Sequence, residues 1–276
     1  MICIQKKWIA LVGLAICLSI FPQFVQAHEG LPEQIVAITA KIKRDPKNAS
    51  LYLQRGELYR LHRNWTRAAA DYDHAARLQP GLTIVDLARG RMFFESRKFQ
   101  RAKSVLDRFL SQQPGHVEAL VTRARVLGKT GARLEAARDF TQALTFTAPE
   151  PELYLERAQV LGEDERHIQE ALQGLDEGIK RLGPLVTLQL AAIDLELRSK
   201  NYDAALTRLD LITAQSERKE MWLVRRGEIL KAAGRNEEAR EAFNAALAAI
   251  DSLPPDRRQS KAVIALQLRA RSTLKP

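Results

Sequence analysis

Residues 49–82 read ASLYLQRGELYRLHRNWTRAAADYDHAARLQPGL. At helical spacing, Tyr52, Gly56 and Tyr59 fall on one face of a first helix, and Ala68, Tyr72 and Ala75 on one face of a second. Asn64 marks the bend between them and Pro80 closes the pair. A glycine inside a helix costs about 1 kcal/mol against alanine, so Gly56 needs an offset. Close packing supplies it: small residues at Gly56 and Ala68 let two helix backbones approach, and the three tyrosines fill the space around the contact.

The same pattern recurs on a beat of 34. Its clearest marker is arginine followed by a small residue, at Arg55-Gly56, Arg89-Gly90, Arg123-Ala124, Arg157-Ala158 and Arg226-Gly227, with a degenerate copy at Ala191-Ala192. Six units follow: 49–82, 83–116, 117–150, 151–184, 185–219 and 220–253. The fourth carries an insertion near Glu163–His167, and the fifth keeps the pattern least well. A fixed period of this length marks stacked supersecondary units.

Tyr52-x2-Arg55-Gly56-x2-Tyr59, then Ala68-x3-Tyr72 and Pro80, resembles a tetratricopeptide repeat. The resemblance implies an all-α, right-handed superhelical solenoid of antiparallel helix pairs. It also implies that first helices line a concave groove for a protein or extended peptide. Residues placed there are Leu53, Glu57, Arg60, Leu87, Arg91, Phe94, Val121, Arg125, Lys129, Leu155 and Gln159, continued by Ile193, Val224 and Glu228. Its cations suit a peptide bearing acidic groups. The lysine and asparagine set with which the family grips a C-terminal carboxylate is missing, since those places hold Leu53, Glu57, Leu87 and Arg91. The chain also departs from the family in placing arginine, rather than leucine, before the small residue. Its stem can pack while its head reaches Asp71 or Asp139, sixteen residues after Arg55 and Arg123. These read as exposed-edge pairs of little energetic worth.

The ends differ from the repeats. Lys6 and Lys7 precede an apolar run from Trp8 to Ile20, and Val25-Gln26-Ala27 offers a cleavage site, so residues 1–27 read as a cleaved signal peptide. The expected location is periplasmic or extracellular. The run is short for a span and Pro22 interrupts it, so no transmembrane span is expected in the mature chain. Cys3 and Cys17 both lie in the leader, and Ile16 before Cys17 argues against lipidation. Residues 28–48 read as an N-terminal capping helix bearing Ile35, Ile38 and Ile42. Residues 254–276 read as a C-terminal capping helix that starts at Pro254-Pro255-Asp256 and bears Val263, Leu266 and Ala270.

The formal net charge of +10 favours acidic partners; export makes nucleic acid the least expected of them. The search for a reactive constellation yields little. None of His28, His62, His74, His116 and His167 makes a metalloprotease spacing, and no glycine-rich phosphate loop occurs. Glu163, Asp164 and Glu165 form an acidic turn better suited to hydration than to acid–base chemistry. His62 and His74 sit on different helices of one unit and could meet. Cleavage after Ala27 would leave His28 with a free α-amine able to chelate a metal such as copper, although imidazole alone makes no site. No cofactor, metal or catalytic group is expected. The leading reading is therefore an exported non-catalytic scaffold. Its alternatives are an accessory subunit docking by its convex face or basic C-terminal helix, and an enzyme with an unrecognised site.

Overall fold

The structure, a computed structural model, describes residues 30–274. The signal-peptide reading of residues 1–27 and the metal-chelating reading of His28 lie outside the described residues. All regular elements among the described residues are helices. The first, α1, spans Leu31–Arg44. Six pairs follow: α2 (Ala49–Leu61) with α3 (Trp65–Leu78), α4 (Ile84–Glu95) with α5 (Phe99–Gln112), and α6 (Val117–Lys129) with α7 (Arg133–Phe146). Next come α8 (Pro151–Gly162) with α9 (Ile168–Leu182), α10 (Val186–Arg198) with α11 (Tyr202–Gln215), and α12 (Glu220–Ala232) with α13 (Asn236–Asp251). Each helix packs chiefly on its neighbours in sequence, so the array is an all-α solenoid of antiparallel pairs.

Local chemistry fixes the pair boundaries. Asn48 and Asn64 cap α2 and α3, their side-chain oxygens accepting from the backbone N–H groups of Ser50 and Arg67 at 3.2 Å. Every bend within a pair, except that between α8 and α9, then has one residue in the left-handed region. Gly131 and Gly234 supply it freely (φ 83° and 76°), whereas Arg63, Arg97 and Lys200 adopt it at φ 57–58°. At Arg97 the bend is closed by Lys98 N–H donating to the Phe93 carbonyl at 2.8 Å, a Schellman-type termination.

Inside each unit the small residue of the arginine motif does what its spacing suggests. A β-carbon placed on Gly56 would fall 2.5 Å from the Tyr72 ring; on Gly90 it would meet Leu106 at 2.6 Å, and on Gly227 it would meet Phe243 at 2.6 Å. Glycine there is a packing requirement. Leu106, Phe140, Leu175, Leu209 and Phe243 form the successive buried layers of the second helices. The apolar core falls into three successive clusters, Ala49 to Met92, Leu87 to Leu195 and Ile193 to Ala270, so its seams fall in the second and fifth units.

The motif arginines tie the units together. Arg55 donates from Nε and Nη2 to Asp71 at 2.8 Å, and Arg123 does the same to Asp139 at 2.7 Å. The two aspartates are 8% exposed at their side chains, so these are bidentate pairs at the margin of the core, and the exposed-edge expectation is corrected. The arginines also reach sixteen residues backward, onto the second helix of the preceding unit. Arg55 meets Thr39, Arg89 meets Asp73, Arg123 meets Asp107, Arg157 meets Thr141, and Arg226 meets Asp210. The Thr39 contact shows what α1 is. It lies 34 residues before α3 and stands as the second helix of a unit that precedes the first pair.

The fourth and fifth units and the C-terminus depart from the rule. A short 3-10 turn at Glu165–His167 takes up the insertion between α8 and α9. In the fifth unit Ala191 stands at the motif position, and Arg208 of α11 bonds Asp176, Glu196 and Gln189 instead. Burial raises the Glu196 carboxyl above its usual range against the opposing pull of Arg208. The single C-terminal capping helix expected over 254–276 is two helices, α14 (Pro255–Arg258) and α15 (Lys261–Leu274). The break has a physical reason. Ser260 starts the second helix, its carbonyl accepting from Ile264 N–H at 3.0 Å and its hydroxyl from Val263 N–H at 3.4 Å.

Candidate protein-interaction face of the first helices

The first helices α4, α6, α8 and α10 lie side by side in unit order and share one face. Two adjoining hollows open along it. One, of about 220 Å³, is lined by Phe94, Arg125, Gly128, Lys129, Glu156, Gln159, Val160 and Glu163, with Phe140 at its floor. The next, of about 340 Å³, is lined by Leu155, Ala158, Gln159, Glu163, Ala191, Asp194, Leu195 and Arg198. Gln159 and Glu163 belong to both, so the hollows form one run across units two to five. Gly128 keeps the first open, since a side chain there would press on Val160, whose methyl lies 3.3 Å from the β-carbon position.

The residues expected to line the groove divide into three groups. Phe94, Arg125, Lys129, Leu155 and Gln159 come together at these two hollows. Leu87 (1% exposed), Val121, Ile193 and Val224 are buried core residues. Their placement in an open groove is corrected: each is packed into the apolar core, and no ligand reaches it without repacking the array. The third group, Leu53, Glu57, Arg60, Arg91 and Glu228, lines neither hollow.

The cations of this face are largely engaged. Arg60 pairs with Glu57 and with Glu95 of the next unit. Arg91 pairs with Glu57 of the preceding unit at 3.1 Å and Glu118 of the next at 2.6 Å. Arg125 holds Glu156 with two bonds of 2.8 and 2.6 Å, and hydrogen bonding to that carboxylate raises its guanidinium pKa. Tyr72 closes the network beneath, donating to Glu57, and burial together with that bond pushes its phenol above the ordinary range. The arginines are thus rungs between successive first helices. Lys129 is exposed and has no carboxylate partner among the described residues.

Sequence reasoning missed Gly128, Val160, Glu163, Asp194 and Arg198. The carboxylate rungs carried a signal: Glu95, Glu118 and Glu156 stand 35, 27 and 31 residues after the arginines they bind, roughly one repeat length on. Of the histidine pair, His74 stacks on Tyr52 with ring centroids 4.1 Å apart and bonds Arg77 rather than His62. Among the described residues no three ligating side chains gather as they would around a metal ion, and no helix is long and apolar enough to cross a membrane.

Comparison with known proteins agrees with this geometry. Residues 121–270 match the tetratricopeptide repeat-like domain family, and residues 87–151 match a tetratricopeptide repeat family. No curated protein sequence matches the chain. Among solved structures, the C-terminal part of a TPR repeat-containing protein from Cytophaga hutchinsonii superposes with a TM-score of 0.65 at 11% identity, covering 86% of this chain and 94% of that one. YrrB, described as a TPR protein with an unusual peptide-binding site, gives 0.53 at 17% identity over 75% of this chain and 98% of its own. PilF of Pseudomonas aeruginosa gives 0.51 at 15% identity, covering 82% and 99%. At such identities the likeness is one of fold. With the family match over more than half its length, the chain belongs to the tetratricopeptide repeat family, whose members serve as protein-interaction scaffolds.

Proposed function

We propose that this protein is an exported, non-catalytic scaffold that holds an extended segment of a partner protein along the face of its first helices, across units two to five. The observation that carries the reading is the run of hollows that joins Phe94, Lys129, Leu155 and Gln159. An apolar side chain of the segment enters beside Phe94 and Val160, and acidic groups are met by Lys129 and Arg198, the two cations of this run that no carboxylate neutralises among the described residues. Acidic complementarity is therefore narrower than the net charge suggests. The peptide-binding site named for YrrB supports the class of ligand. The basic and apolar leader supports export.

The test is affinity capture followed by titration of the captured partner. Lys129→Glu and Phe94→Ala are each expected to weaken binding about tenfold or more while leaving the helical spectrum unchanged. Equal affinity for both variants sinks the groove reading. N-terminal sequencing of the protein recovered from its own cells tests export, with His28 as the expected first residue.

A further inference from the structure

The C-terminal helix α15 is built as a first helix. Val263 and Ala270 are buried, as Ala119 and Val126 of α6 are, and the spacing of seven is the same. Arg269 bonds Glu228 of α12, repeating the ties between neighbouring first helices such as Arg91 with Glu57. In this register Ile264, Leu268 and Arg271 occupy the places of Leu120, Ala124 and Leu127, the face of α6 that its second helix α7 covers. Among the described residues no second helix follows α15, and Ile264 and Leu268 are 42% and 62% exposed. Two large apolar side chains thus stand on a helix face that is covered in each of the six complete units.

The surroundings say what fits there. Lys261, Ile264, Leu268 and Arg271 fall on one stripe, with a cation at each end of the apolar pair. Lys261 and Arg271, with Arg257 and Arg258 of α14, are exposed and have no carboxylate partner among the described residues. We infer that this stripe seats an amphipathic helix of a partner protein, one with acidic residues at both ends of its apolar face. Leucine at 268, where the complete units have glycine or alanine, calls for small residues opposite. The N-terminal helix of a second copy is the competing occupant. Its open face carries Ala37, Ile38 and Lys41, and Lys43 and Arg44 follow, so charge opposes it.

This site lies apart from the hollows of units two to five, and its test is separable from theirs. The protein used is residues 28–276, which contain every helix described above. The probe is a fluorescent synthetic peptide of residues 236–251 carrying Phe243→Ala, which makes the residue opposite Leu268 small; it is an acidic second helix with Glu237, Glu238 and Glu241 toward one end and Asp251 at the other. Anisotropy should show saturable binding, weakened at least tenfold by Leu268→Glu and by the pair Lys261→Glu and Arg271→Glu. These residues are exposed, so an unchanged thermal midpoint verifies the fold of each variant. A peptide of residues 31–44 should bind at least tenfold more weakly. Absence of saturable binding, indifference to Leu268→Glu, or equal binding of the 31–44 peptide would each overturn the inference, the last in favour of self-association.

Discussion

The third and fifth units solve one problem with opposite parts. In the third, Arg123 of the first helix reaches Asp139 of its own second helix and Asp107 of the preceding one, so one guanidinium joins three helices. In the fifth, the motif position is Ala191, and Arg208 projects from the second helix to Asp176 of the preceding second helix and Glu196 of its own first helix. Helix of origin differs, yet the same three classes of helix are joined. What the fold demands at a junction is a shared cation, and the side from which it comes is negotiable.

The most disruptive way to probe this comparison is to remove each cation. Arg208→Ala strands Glu196, whose side chain is 4% exposed, and should cost about 3 kcal/mol. Arg123→Ala strands the slightly more accessible Asp139 and should cost about 2 kcal/mol. Urea unfolding measures both losses. Amide exchange should place the first in α10 and α11, because stacked units lose stability locally. A loss spread evenly over the array would contradict a junction role. Ala191→Arg on the Arg208→Ala background sharpens the test: an arginine restored at the motif position should recover at least half the loss. No recovery would mean that the two junctions are not equivalent.

Packing variants come next in size. Gly56→Leu forces a branched side chain into the Tyr72 ring and should cost about 1–3 kcal/mol. Ala192→Leu, at the matching place in the fifth unit where a β-carbon is already accommodated, should cost less, and thermal midpoints would rank the two. The smallest expected effect is a gain. Arg97→Gly relieves a left-handed residue and should add about 0.5–1 kcal/mol, a shift absent from the matching Gly131→Ala control, which should lose stability.

Much of the architecture was legible because one period repeated. The 34-residue beat places the pairs, and the small residue beside a large ring predicts the contact of Gly56 with Tyr72. Only half of the arginine ties were visible. The forward partners Asp71 and Asp139 are acidic and easily noticed. The backward partners mix Thr39, Asp73, Asp107 and Thr141, which share position but not charge. Groove residues were harder, because a helix face that looks free within one unit is closed by the next. Leu87 and Val121 sit one turn from the packing stripe and are nonetheless buried in the core that successive units share. Lys129 and Gln159 escape that closure because Gly128 and Ala158 leave space beside them.

The backward reach of the arginines makes the protein's length adjustable. Excising residues 117–150 would bring Arg157 opposite Asp107, a stronger acceptor than the Thr141 it meets now. A whole module could be dropped, or one inserted, and each new seam would arrive with its own fastener.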